Sequence, residues 1–130
     1  MPTPDEMTAA VHAYVKSFAD ENPEAVRDIF ADDAVVEDPV GTPPHEGIEN
    51  VVKFYTTSMM GKPKLTLEGP VRTAGNFAAF AFSVGFADPN MKVDVIDTFE
   101  FNDAGKVKHM RAYFGPQNMT GFPDDFFANN

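Results

Sequence analysis

The run Met91-Lys92-Val93-Asp94-Val95-Ile96-Asp97-Thr98-Phe99-Glu100-Phe101 alternates in character with the period of a β-strand. Met91, Val93, Val95, Asp97, Phe99 and Phe101 share one face, and Lys92, Asp94, Ile96, Thr98 and Glu100 share the other. A fold that buries the first face also buries a carboxyl group in the middle of it. Ionisation is disfavoured there unless a cation or several donors compensate. Asp97 is thus either a structural acid bonded to a backbone amide or an Arg, a residue turned outward by a bulge, or a group with a task.

The rest of the chain bounds the choices. At 130 residues a single domain, 1–130, is expected. There is no cysteine, so disulfides and thiolate chemistry do not enter. The first thirty residues hold no cationic-then-apolar signal pattern, and no apolar run is long enough to span a bilayer, so a cytoplasmic protein is expected. Twenty acidic residues against ten basic give a net charge of −10 without a Lys/Arg cluster, which argues against nucleic acid and anionic membrane as partners. Neither a Gly-rich phosphate loop nor a His pair at ligand spacing is present, so no cofactor and no metal are expected.

Thr3-Pro4-Asp5-Glu6 is a helix start with a capping box, followed by Met7, Ala10, Val11, Tyr14 and Phe18 at helical spacing. Tyr14 therefore lies on the buried stripe, as an ordinary core Tyr also would. Asn22-Pro23-Glu24 opens a shorter second helix with Ala25, Val26, Ile29 and Phe30 on its apolar side. A short strand over 34–38 ends at Pro39, and alternation groups Asp38 with Val36 while Glu37 faces the other way. His45 reads as a solvent-exposed loop residue. A third helix over 48–60 carries Ile48, Val51, Val52, Tyr55 and Met59 on one stripe, and Gly61-Lys62-Pro63 stops it.

From residue 64 the pattern becomes an antiparallel meander. Its strands cover 65–73, interrupted near Gly69-Pro70, then 76–87, 91–101 and, after the turn Asn102-Asp103-Ala104-Gly105, 106–114. Ala78, Phe80, Phe82, Val84 and Phe86 share a face in the second of these, and Met110, Ala112 and Phe114 share one in the last. His109, Arg111 and Tyr113 take the opposite side. Residues 116–130 form a C-terminal extension whose Phe122, Phe126 and Phe127 are suited to cap a mouth or pack on a partner. Three N-terminal helices laid on a curved, mainly antiparallel sheet make an α+β cone with an apolar interior.

The runs Ala13-Tyr14-Val15, Phe30-Ala31-Asp32-Asp33-Ala34-Val35-Val36-Glu37-Asp38-Pro39-Val40-Gly41, Phe54-Tyr55, Ala79-Phe80-Ala81-Phe82, Val95-Ile96-Asp97 and Met110-Arg111-Ala112 resemble the bacterial steroid delta-isomerase (ketosteroid isomerase) family, which has the cone-shaped nuclear-transport-factor-two-like fold. The likeness runs from about Thr3 to Gly115. It implies an isomerase of steroid, and so lipid, metabolism, which moves the double bond of a 3-oxo-delta-5 steroid into conjugation through a dienolate. Asp38 would be the general base, carrying a proton from carbon 4 to carbon 6. Tyr14 and a protonated Asp97 would form the oxyanion hole; the family is itself the standing example of a carboxylic acid kept neutral in an apolar site. Tyr55 would support Tyr14 by a hydrogen bond. Phe30 stands where some members carry a further Tyr, which would shorten that relay.

The resemblance also implies a steroid-binding sleeve. It would draw Phe18 from the first helix, Phe82, Val84 and Phe86 from the second meander strand, Val95 and Phe99 from the third, and Met110, Ala112 and Phe114 from the last. Family members are homodimers joined through the sheet face away from the cavity, so a homodimer is expected. An epoxide hydrolase or dehydratase on the same fold would need an inward Arg or His, and Arg111 and His109 have the wrong parity. The remaining alternative is a non-catalytic module that binds small hydrophobic ligands. It requires Tyr14, Asp38 and Asp97 all to be merely structural.

Overall fold

The computed structural model describes residues 1–123. Helix α1 (Pro4–Ala19) begins at the capping box: Glu6 N donates to Thr3 Oγ1 at 3.1 Å and Thr3 N to Glu6 Oε1 at 2.8 Å. Its stripe of Met7, Val11, Tyr14 and Phe18 is buried. A 3-10 turn follows at Pro23–Asp28. Strand β1 (Phe30–Glu37) leads through a loop to β2 (His45–Glu46) and helix α2 (Ile48–Met59). Strands β3 (Lys64–Leu67), β4 (Arg72–Ala74), β5 (Phe77–Gly85), β6 (Lys92–Phe101) and β7 (Val107–Tyr113) come next. A 3-10 turn (Pro116–Asn118) and a two-residue strand β8 (Met119–Thr120) close the described chain.

The α+β layout is as expected, but with a mixed sheet and fewer helices than the pattern suggested. The path of the sheet is β2-β1-β7-β6-β5-β3, with β4 also pairing with β5 and β8 with β6. All pairings are antiparallel except β1 with β7, which is parallel. The expected second helix is only the 3-10 turn. Ile29 and Phe30, assigned to its apolar side, leave it instead: Val107 N donates to Ile29 O at 2.9 Å, and Phe30 begins β1 opposite Val107. Their burial is the same in either backbone, which is why apolar spacing alone could not separate the two.

The interrupted strand over 65–73 is two strands, β3 and β4, both on β5. Gly69, at φ +82°, makes the break between them. His45 is not fully exposed: its ring stacks on Phe54 with centroids 4.3 Å apart, and partial burial lowers its pKa. The core lies between α1, α2 and the concave sheet face. Phe30, Phe80, Phe99 and Phe101 are at most 1% exposed there, each fully buried ring contributing about 1.5–3 kcal/mol by leaving water. No described helix is long and apolar enough to cross a membrane.

Candidate active site

Asp97 sits where alternation put it. The β5–β6 ladder runs without a register shift from Phe77 opposite Glu100 to Gly85 opposite Lys92, so parity along β6 is kept. Val93, Val95, Asp97, Phe99 and Phe101 are buried, and Asp97 is 1% exposed opposite Phe80. No bulge turns it outward. Neither carboxyl oxygen has a hydrogen-bond partner among the described residues, and no salt bridge there involves it. Burial drives its pKa well above the ordinary carboxylate value. The nearby Asp38 charge raises it further, and the Tyr14 hydroxyl opposes the rise only in part. The environment thus favours the neutral form of this carboxyl over the charged one.

The α1 stripe brings Tyr14 onto the same interior, 2% exposed. Its hydroxyl lies 3.1 Å from that of Tyr55 on α2, and either can be the donor. The rings of Phe18, Phe30, Phe80 and Phe99 pack around Tyr14 at centroid distances of 5.2–6.3 Å. Burial raises the pKa of both phenols well above normal, so both keep their protons.

Asp38 follows the last residue of β1, before a cis peptide to Pro39. Val36 is buried, and Asp38 turns to the same side to line the cavity. Glu37 points the other way, where its Oε2 meets His109 Nε2 at 2.6 Å and Arg111 Nε at 3.4 Å. Desolvation pushes the Asp38 carboxyl up to about 7. Asp38 is partly accessible, unlike Asp97.

These groups converge on a cavity of about 390 Å³. Tyr14, Tyr55, Asp38 and Asp97 line one part of it together with Phe18 and Pro39. Phe82, Val84, Phe86, Val95 and Phe114 line it as the sleeve required. Phe99, Met110 and Ala112 do not line it: they are packed into the core at 0–1% exposure, Ala112 directly opposite Asp97 on β7. Alternation states which face a residue is on, and the packing of its neighbours decides between cavity wall and filled core. Sequence reasoning overlooked Phe54, Ser58, Pro63 and Leu65 as lining residues. Phe54 precedes Tyr55 off the main stripe and stacks on His45, a contact that no local sequence pattern announces. Ser58 contributes little polarity, because its hydroxyl donates to Phe54 O at 2.9 Å.

Phe122, in the extension, does reach the mouth; Phe126 and Phe127 lie outside the described residues. No Arg, Lys or His among the described residues lines the cavity. Nor do the described residues contain a cluster of three or more His, Asp or Glu able to hold a metal ion. The arrangement offers one titratable base and two uncharged proton donors in an apolar hole, the equipment for moving a proton next to a carbonyl group.

Known proteins share this architecture. The family model described as a SnoaL-like domain matches residues 11–110. A curated protein described as Steroid Delta-isomerase, from Nocardioides simplex, is 33% identical over 120 residues, covering 91% of this chain and 97% of that protein. Among solved structures, the epoxide hydrolase/cyclase-like enzyme SalBIII, described for pyran ring formation in the polyether salinomycin, superposes with a TM-score of 0.84 over 94% of this chain and 100% of its own. At 22% identity that likeness is one of fold. Homology to the isomerase supports an isomerase-type role.

Proposed function

The chain belongs to the SnoaL-like domain family, and from that premise we propose that it is a steroid delta-isomerase, shifting the carbon–carbon double bond of 3-oxo-delta-5 steroids to the conjugated delta-4 position. The observation that carries the reading is Asp97: a buried carboxyl whose two oxygens have no partner among the described residues, in the wall of an apolar cavity it shares with Tyr14 and Asp38. Leaving such a group unsatisfied costs on the order of 1–3 kcal/mol. A ligand oxygen that accepts a hydrogen bond from its O–H offsets that cost.

In the mechanism, ionised Asp38 removes a proton from carbon 4, and the electron pair shifts through carbon 3 to leave negative charge on the 3-oxygen. Tyr14 and Asp97 donate hydrogen bonds to that oxygen as its charge grows. Tyr14 is free to do so while accepting from Tyr55. Protonated Asp38 then returns the proton to carbon 6, so no atom is gained or lost. Water-poor surroundings strengthen each donor, and fixed donors of this kind contribute about 3–4 kcal/mol apiece. Epoxide opening of the SalBIII kind is not favoured, because Arg111 and His109 are engaged with Glu37 away from the cavity.

The enzyme acts as a homodimer joined through the outer sheet face, a reading supported by the cross-strand pair Ile96 and Tyr113, 50% and 47% exposed. Sedimentation as a monomer at micromolar concentration would remove that part. The catalytic reading is tested by following the conjugated enone absorbance with 5-androstene-3,17-dione as substrate. A gain well above the buffer rate is expected. No gain, despite tight binding of a phenolic steroid, would leave a ligand-binding module instead.

A further inference from the structure

The chain after β7 turns back over the cavity. The 3-10 turn at Pro116–Asn118 is closed by Gly115 N donating to Asn118 Oδ1 at 2.9 Å, and β8 then pairs with the start of β6, Met119 opposite Val93. Gly121 follows at φ +82°, where an L side chain is strained. A Cβ there would come within 2.1 Å of Asn90 O and 3.1 Å of Met91 Cα. The backbone must pass this close to carry the next residue inward. That residue is Phe122, whose ring meets Phe86 edge-to-face at 5.7 Å and 81° and lines the cavity.

Position along the strands gives this contact a meaning. Val93 is four residues from Asp97 on β6, about 13 Å at the rise of an extended strand. A fused four-ring skeleton anchored by its oxygen at Tyr14 and Asp97 reaches that level. A two-ring skeleton anchored in the same way stops short of it. Met119, Phe86 and Phe122 are the apolar side chains that line the cavity there among the described residues.

The geometry points to Phe122 as a specificity-determining residue: held across the mouth by the Gly121 turn, it packs on the far end of a long ligand and so selects four-ring over two-ring molecules. This rests on the reading of Tyr14 and Asp97 as the anchor for a ligand oxygen.

The test measures binding to the full chain by calorimetry for two matched phenols, 5,6,7,8-tetrahydro-2-naphthol and estra-1,3,5(10)-trien-3-ol. The second has the same first two rings and a bare hydrocarbon far end. Phe122→Ala should weaken the four-ring phenol by about tenfold or more and the two-ring phenol by about twofold or less. Gly121→Ala keeps the aromatic ring but displaces it, and should reproduce the same selective loss. Equal losses for both phenols, no loss, tighter four-ring binding in Phe122→Ala, or failure of the four-ring phenol to bind the wild-type protein would each overturn the proposal. Turnover is a separate readout. Selective loss in a protein that produces no enone would sink the isomerase reading and leave the role of Phe122 standing, and enone production with equal losses would do the reverse.

Discussion

Tyr14 and Tyr55 bring their hydroxyls 3.1 Å apart from two different helices, both rings buried. In the proposed mechanism Tyr14 donates a hydrogen bond to the ligand oxygen while accepting one from Tyr55, whose contact orients it. Tyr55→Phe should therefore lower turnover by about tenfold or less, the worth of one neutral hydrogen bond. Tyr14→Phe should cost about 3–4 kcal/mol of transition-state stabilisation. Steady-state rates on one steroid check the order; equal losses would mean that Tyr55 also touches the reacting oxygen.

Asp38→Asn removes the base itself and should be the most damaging single change, on the order of 10,000-fold. Asp97→Ala should spare steroid binding more than rate. With the Asp38 carboxyl at about 7, only its ionised fraction works, so kcat/KM should rise about tenfold per pH unit up to that value and level off above it. A flat profile between pH 5 and 8 would contradict this, as would Asp38→Asn outperforming Tyr14→Phe or Asp97→Ala.

The same two acids set a stability dependence of unusual sign. Both have pKa values raised by folding, so the folded state holds protons that the unfolded state releases from about pH 4 upward. Their contribution is fully present below that and is lost as pH rises, for Asp38 across the window from about 4 to about 7. The slope approaches about 1.4 kcal/mol per pH unit for each resisting group. Urea unfolding from pH 5 to 8 should show a shallower decline in Asp97→Asn than in the wild-type chain. Parallel curves would mean that Asp97 ionises as easily folded as unfolded.

Much of this site was legible because its key residues obey short-range rules. Asp97 could be placed from period two alone, since β6 keeps its register with β5 throughout. Asp38 could be placed because Pro39 ends the strand and Glu37 must face away. Tyr14 followed from helical spacing behind a capping box that the structure contains. What escaped was non-local. The parallel pairing of β1 with β7 depends on how the sheet closes, and neither strand carries a mark of it. Phe99, Met110 and Ala112 are on the right face but packed into the core and not along the cavity, a difference that three-dimensional packing decides and alternation does not. Ile29 and Phe30 are apolar at a spacing that suits a short helix and a strand start equally well.

The proposed mechanism stands or falls with a protonated, hydrogen-bond-donating Asp97. Infrared difference spectroscopy, with Asp97→Asn subtracted, reads this directly. At neutral pH a carboxylic C=O band assigned to Asp97 is expected, shifting on binding of estra-1,3,5(10)-trien-3-ol without conversion to carboxylate. A carboxylate band for Asp97 in the ligand-free protein, or no response to the phenol, would contradict it.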